Sequence, residues 1–217
     1  GRLLGMCYMW EHETKVKDVY PKNVTKYDYR DDYEIVHKVW KLLDEAEVVI
    51  AHNGDKFDLR KLNARFVQHN MGAPSPYLTI DTLKIARSNF YFNANNLDAL
   101  ADHLGLGNKI KHEGFSMWLG CMSGDRKSWA KMKKYNRQDV VLLRNVYLRL
   151  RPFMRNHPNM LTEDCQDIAC PVCGSEKFQK RGVKRTKAGI EYQQYQCSNG
   201  HYFRSRKRSS VSGLVVT

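Results

Sequence analysis

Residues 48–66, VVIAHNGDKFDLRKLNARF, constrain the fold more than any other stretch. Val48, Val49 and Ile50 form a short β-branched run, and Leu59, Leu62 and Phe66 recur at helical spacing directly after it. A strand that passes straight into an amphipathic helix calls for a sheet with helices laid against it. Gly72, just beyond, is the expected C-cap. The junction carries Asn53, Asp55 and Asp58, where a plain turn needs only one capping residue.

The rest of the chain extends the same pattern. LLGMCYMW and KVKDVY read as a hairpin around a polar turn. DDYEIVHKVWKLLDEAE places Ile35, Val39, Leu42 and Leu43 on one helical face, with Asp31 or Asp32 as N-cap. YLTIDT is a short strand after the breaker APSP. NNLDALADHLG is a helix stopped by Gly105, and HEGFSMWLGCMSGD reads as a Gly-rich connector. A long helix runs from Asp125 or Ser128 to about Arg151, where Pro152 ends it. The expectation is an α/β domain with a mixed sheet over residues 1–152, a linker over 153–168, a small second unit over 169–210 and a tail over 211–217.

That long helix contains KYNRQDVVLL, in which Tyr135 and Asp139 stand at i and i+4 and share a face. Leu142, Leu143 and Val146 continue the buried stripe, so Asp139 points toward the core side. A carboxylate there needs a partner, and a divalent metal is one. In open α/β sheets ligands bind beyond the carboxyl ends of strands, which is where Asp58 lies. A cap at Asp58 and a hydrogen-bonded core edge at Tyr135 and Asp139 are the bland alternatives.

Charge names the partner class. Lys and Arg outnumber Asp and Glu by 36 to 23, and a formal +13 favours a polyanion such as nucleic acid. No stretch reaches the roughly 18 consecutive apolar residues of a membrane span. Cys7 and Cys121 stand alone in apolar surroundings as expected core thiols. The remaining four of the six cysteines cluster near the C-terminus, which suggests a reducing, cytoplasmic setting rather than a secreted scaffold.

Two motifs, in this order, resemble one known family. HNGDKFD is similar to the second motif, N-x-x-x-F-D, of the DEDD or DnaQ-like 3′–5′ exonucleases, which have a ribonuclease H-like fold. YNRQD is similar to their third motif in its tyrosine form, Y-x-x-x-D; the histidine form places His where Lys134 stands here. IDTLKIAR, with Asp81, resembles the segment that follows the second motif. The resemblance covers about residues 1–152 and is closest to stand-alone bacterial and phage enzymes related to family-B DNA polymerase proofreading domains.

The resemblance implies hydrolysis of phosphodiester bonds, DNA favoured, by two Mg²⁺ or Mn²⁺ ions about 4 Å apart on four carboxylates. Asp58 and Asp139 take the place of two metal ligands. Tyr135 takes that of the residue orienting the water, and Asn53 shapes the turn. The family's first motif, Asp-x-Glu on the central first strand, has no counterpart. Glu11 and Glu13 in WEHET fall in the hairpin turn instead. The first strand is thus expected to be missing, with Gly1 not a native start. An upstream segment or a separate chain would supply it, or the protein is a pseudo-exonuclease that only binds nucleic acid.

The C-terminal texture differs. CPVCG is a C-x-x-C knuckle, and CSNGH adds Cys197 and His201 some 25 residues later. Thiolates two apart on a tight turn, paired across a hairpin, suit tetrahedral Zn²⁺, so Cys170, Cys173, Cys197 and His201 are the expected ligands of a structural zinc ribbon. Residues 170–210 hold ten Lys or Arg against two Glu, a net +8. Lys180, Arg181, Lys184, Arg185, Lys187, Arg204, Arg206, Lys207 and Arg208 are the candidate phosphate contacts. Tyr192, Tyr195, Tyr202 and Phe203 are expected to fill a small core rather than to stack on bases.

Overall fold

The computed structural model of the protein describes residues 2–108, 114–154, 157–159, 168–185 and 190–204. Cys165, Lys187, Arg206, Lys207, Arg208 and the tail lie outside the described residues. The chain divides into two units, Gly1–Leu150 and Arg151–Thr217. Among the described residues no helix is long and apolar enough to cross a membrane.

In the N-terminal unit, β1 (Met6–Tyr8) pairs antiparallel with β2 (Lys17–Val19), in the register Met6 opposite Val19. Glu11 lies in the turn between them, and Glu13 forms an ion pair with Lys17 at 2.7 Å. Helix α1 (Tyr33–Glu45) leads to β3 (Val48–Ala51), α2 (Asp58–Gln68), β4 (Leu78–Asp81) and α3 (Thr82–Asn89). β3 and β4 are parallel, Ala51 opposite Asp81. Then follow α4 (Leu97–His103), α5 (Phe115–Met122) and the long α6 (Arg126–Leu150).

The strands of this unit lie in two separate pairs. Both strand senses are present, but no ladder joins the β1–β2 pair to the β3–β4 pair, and no described strand bridges them. One helix nevertheless covers both. Met6 and Tyr8 of β1, Val19 of β2 and Val49 of β3 join one core cluster with Ile35, Val36, Val39 and Leu43 of α1 and Phe66 of α2. On the other side α6 lies against β1, β2, α3, α4 and α5. Trp129 is its anchor, buried among Leu4, Met117, Cys121 and Met132 with Tyr20 and Tyr27 edge-on at 5.9 and 6.0 Å. Burial raises the Cys7 thiol and pushes Cys121 up to about 11, which suits inert core thiols.

Two local expectations are corrected. The Gly-rich connector contains a helix, α5, because Met117 and Cys121 stand at i and i+4 and both reach the core. Gly120 belongs to that packing, since a Cβ there would lie 2.2 Å from Ser128 Oγ and 2.8 Å from Ser128 Cβ. The end of α2 is turned by Asn70, at φ 54°, and not by Gly72, whose carbonyl accepts instead from Trp40 Nε1 at 2.8 Å.

Asp32 precedes α1 but does not cap it with its side chain. At 0% exposure it accepts from Leu3 N at 2.7 Å, from Arg65 Nε at 3.0 Å and from Arg65 Nη2, with His69 Nε2 at 2.8 Å. Burial pushes its carboxyl up, but the bonds from Arg65, Leu3 and His69 outweigh burial and hold it below the ordinary carboxylate range. A depressed carboxyl stabilises the fold above its unfolded-state value, and that contribution is lost as pH falls through the lower, folded value. Asp32→Ala strands the buried Arg65 charge and is expected to cost about 3–5 kcal/mol. A urea midpoint unchanged by the substitution would contradict this.

In the C-terminal unit, β5 (Phe178–Arg185), β6 (Glu191–Cys197) and β7 (Tyr202–Arg204) form an antiparallel sheet in that order, with an irregularity between Lys180 and Val183. A 3₁₀ turn at Arg151–Phe153 precedes it. The expectation that all four aromatics fill the core is half corrected. Tyr195 and Phe203 are buried against Phe178, whereas Tyr202 is 54% exposed and the Tyr192 ring lies under the Arg204 guanidinium at 4.8 Å. Strand alternation separates them: 195 and 203 are paired on the inner face, and their neighbours point outward.

Candidate metal centres

The turn after β3 is built for close approach. Asn53 takes a left-handed φ of 63°, which Asn tolerates better than most residues. A Cβ at Gly54 would lie 2.4 Å from Ala51 Cβ, so only glycine lets the chain fold back here. Asp81 locks the geometry: its Oδ1 accepts from Asn53 N at 2.8 Å and from Leu83 N at 3.0 Å, capping α3 while pinning the β3 turn. His52 Nδ1 adds a contact to Thr82 Oγ1 at 2.9 Å. Asp55 turns aside to Lys84 at 2.6 Å.

Asp58 is the first residue of α2 and is open to solvent. The surrounding protein nonetheless pushes its carboxyl above the ordinary range. Lys61 opposes the rise and the neighbouring Asp81 adds to it. Asp81 Oδ2, buried, has no hydrogen-bond partner among the described residues. A solvent-reachable carboxylate raised chiefly by desolvation, beside the unpartnered Asp81 Oδ2, is a candidate cation ligand.

On α6, Tyr135 and Asp139 are half-buried one turn apart. Neighbouring residues of α6 set the helix's register on the hairpin. Asn136 Nδ2 donates to Tyr20 Oη at 2.7 Å, Arg137 pairs with Asp18, and Lys133 lies over the Tyr20 ring at 5.0 Å.

In the C-terminal unit the Cys170, Cys173, Cys197 and His201 ligand atoms all lie within 4.8 Å of one another. Cys173 Sγ and Cys197 Sγ are 3.8 Å apart, and His201 Nδ1 is 3.2 to 3.6 Å from the three sulfurs. A zinc tetrahedron with Zn–S of about 2.3 Å and Zn–N of about 2.0 Å has edges of roughly 3.8 and 3.5 Å, so the cluster fits zinc. Burial pushes His201 down to about 4, helped by Arg151 and His157, which keeps the imidazole neutral as a ligand must be. Burial raises Cys170 to about 12, while Cys173 is lowered despite burial by bonds from Asn199 and the Ser175 backbone. Arg151 Nε donates to His201 Nε2 at 3.2 Å, which places the ring proton on Nδ1. A metal on Nδ1 displaces that proton, and a proton returned to Nε2 breaks the Arg151 bond.

With both sites described, the comparison with known families is decisive. Residues 2–151 match the family described as the RNase_H superfamily. The chain belongs to the RNase H superfamily. No curated protein matches it. RNase H superfamily membership points to a nuclease acting on nucleic acid, a class that usually uses divalent metals.

Within this RNase H superfamily chain the sequence-derived residues divide clearly. Asn53 and Asp58 are brought to one strand end, and Tyr135 and Asp139 to one helix. Among the described residues no set of three or more carboxylate, His or Cys ligand atoms closes around Asp58 or Asp139. The set of four that does close is Cys170, Cys173, Cys197 and His201. Sequence reasoning did not assign Asp81 to the site. Its signal was present, an Asp placed between a β-branched run and a helix. Of the basic candidates, Lys180, Arg181, Lys184 and Arg204 are exposed, but Arg185 is engaged by Glu191 at 2.6 Å.

Proposed function

We propose that the chain is a two-metal-ion 3′–5′ exonuclease of the tyrosine DEDD type acting on DNA, whose C-terminal unit is a zinc ribbon holding the substrate backbone. The observation that carries this reading is the strand-end turn. A left-handed Asn53 is pinned by Asp81, and an open, cation-seeking Asp58 follows it, in a chain whose α6 carries Tyr135 and Asp139 one turn apart.

A divalent cation held there would supply Lewis-acid chemistry, acidifying a water and offsetting charge on the leaving 3′ oxygen. Asp58 and Asp139 would hold the cations. Tyr135 Oη hydrogen-bonds the attacking water and aligns it with the scissile phosphorus. Asn53 and Asp81 fix the backbone on which Asp58 sits, so the carboxylate is in place before substrate arrives. Lys180, Arg181, Lys184 and Arg204 neutralise phosphates without reading sequence.

The two carboxylates still wanted belong to an Asp-x-Glu segment, supplied upstream or by a separate chain, which would pair between β1 and β3. The unbridged strand pairs support this, and they also favour a second reading: a pseudo-exonuclease that binds nucleic acid without cutting. A 5′-labelled single strand incubated with Mn²⁺ separates the two. With an Asp-x-Glu extension joined to the chain, a ladder shortening from the 3′ end with release of 5′-mononucleotides is expected. Binding without cleavage, with or without the extension, establishes the second reading.

A further inference from the structure

The outward face of the β5–β6–β7 sheet carries more than charge. A depression of about 430 Å³ is lined by Arg181, Lys184, Gln194 and Tyr202. Tyr202 leaves the aromatic core and is 54% exposed at its edge. Arg181 is steadied by its Nε bond to Gln196 at 2.9 Å, so a cation stands fixed at the rim. Beside it, Arg204 opposite Gln194 in the ladder lies over the Tyr192 ring at 4.8 Å. A sheet face meant only for solvent has no use for a bare tyrosine ring among cations. A face that meets duplex phosphates gains nothing from the ring either.

We infer that this face binds single-stranded nucleic acid through its bases. An unpaired nucleobase stacks on Tyr202 within the depression, the Gln194 amide meets its polar edge, and Arg181 and Lys184 take the flanking phosphates. The charge is complementary, since residues 170–210 carry a net +8. A duplex hides its base faces and reaches only the cations. The inference rests on the nucleic-acid reading of this unit but not on hydrolysis at Asp58 and Asp139.

The test uses the full chain, zinc-loaded and without added Mg²⁺ or Mn²⁺. The probes are a short oligothymidylate with one central 2-aminopurine, the same strand in duplex, and a polyglutamate peptide. Quenching of the 2-aminopurine is expected on the wild-type chain and on Tyr202→Phe, and its loss on Tyr202→Ala. Single-strand affinity should fall about tenfold in Tyr202→Ala while duplex affinity stays unchanged. The Arg181→Ala and Lys184→Ala pair should weaken both. An unquenched wild-type complex overturns the inference, whatever the variants do. So does Tyr202→Ala binding the single strand at wild-type affinity with its zinc intact, or polyglutamate bound as tightly as the strand. If the wild-type chain binds neither nucleic acid, the ribbon's proposed role fails as well.

Discussion

Stripping the metal from Cys170, Cys173, Cys197 and His201 is expected to unfold the C-terminal unit and leave the N-terminal unit folded. The buried apolar cluster of this unit is Cys170, Tyr195, Cys197 and Phe203, and two of those four are candidate ligands. Such a core cannot offset the ordering entropy of its strands. Zinc binding supplies it, at an apparent 10–16 kcal/mol or about that in comparable peptides. Removing the ion also returns Cys170 to the thiol form, since burial holds it near 12. Metal analysis should give one zinc per chain, and a chelator should erase the backbone resonances of β5–β7 reversibly. Cys173→Ser should do the same without chelator. Resonances that persist with no zinc bound would show that the cluster is incidental.

The second large effect belongs to the carboxylates of Asp58 and Asp139. In a form of the enzyme completed by an Asp-x-Glu segment, Asp139→Ala or Asp58→Ala should lower hydrolysis by on the order of 10³-fold or more, because each would remove a ligand from the proposed cation site. Tyr135→Phe should leave residual activity, since a water-orienting hydroxyl contributes only part of the barrier reduction. Asn53→Gly should be tolerated and Asn53→Val should not, because φ 63° is open to glycine and strained for a β-branched residue. Asp139→Ala that degrades single-stranded DNA at the parental rate would remove Asp139 from the site.

These effects differ in how they can be read from residues alone. Local signals were legible. The β-branched run at Val48 ended in a turn rich in side-chain oxygens, the i, i+4 pair Tyr135 and Asp139 fell on one helix, and C-x-x-C with C-x-x-x-H closed into one cluster. Each depends on neighbours a few residues apart or on spacing that metal chemistry dictates.

What escaped depends on distant partners. Asp32 looks like a cap until Arg65 and His69, more than 30 residues away, claim its oxygens. Asp81 looks like a second cap until its Oδ1 reaches back to Asn53. Helix α5 was hidden by its glycines, and Gly120 is there because Ser128 of the next helix leaves no room for a Cβ. The division of the four C-terminal aromatics required the register of β6 on β7, which composition does not contain.

The most direct test of a divalent-metal site at this strand end is the anomalous signal of Mn²⁺ in crystals of the zinc-loaded chain, with the Asp-x-Glu segment supplied. The account predicts a peak in contact with the carboxylates of both Asp58 and Asp139, with the Tyr135 hydroxyl facing the same cleft. Asp58 and Asp139 on separate faces of the domain, with no peak between them, would contradict it.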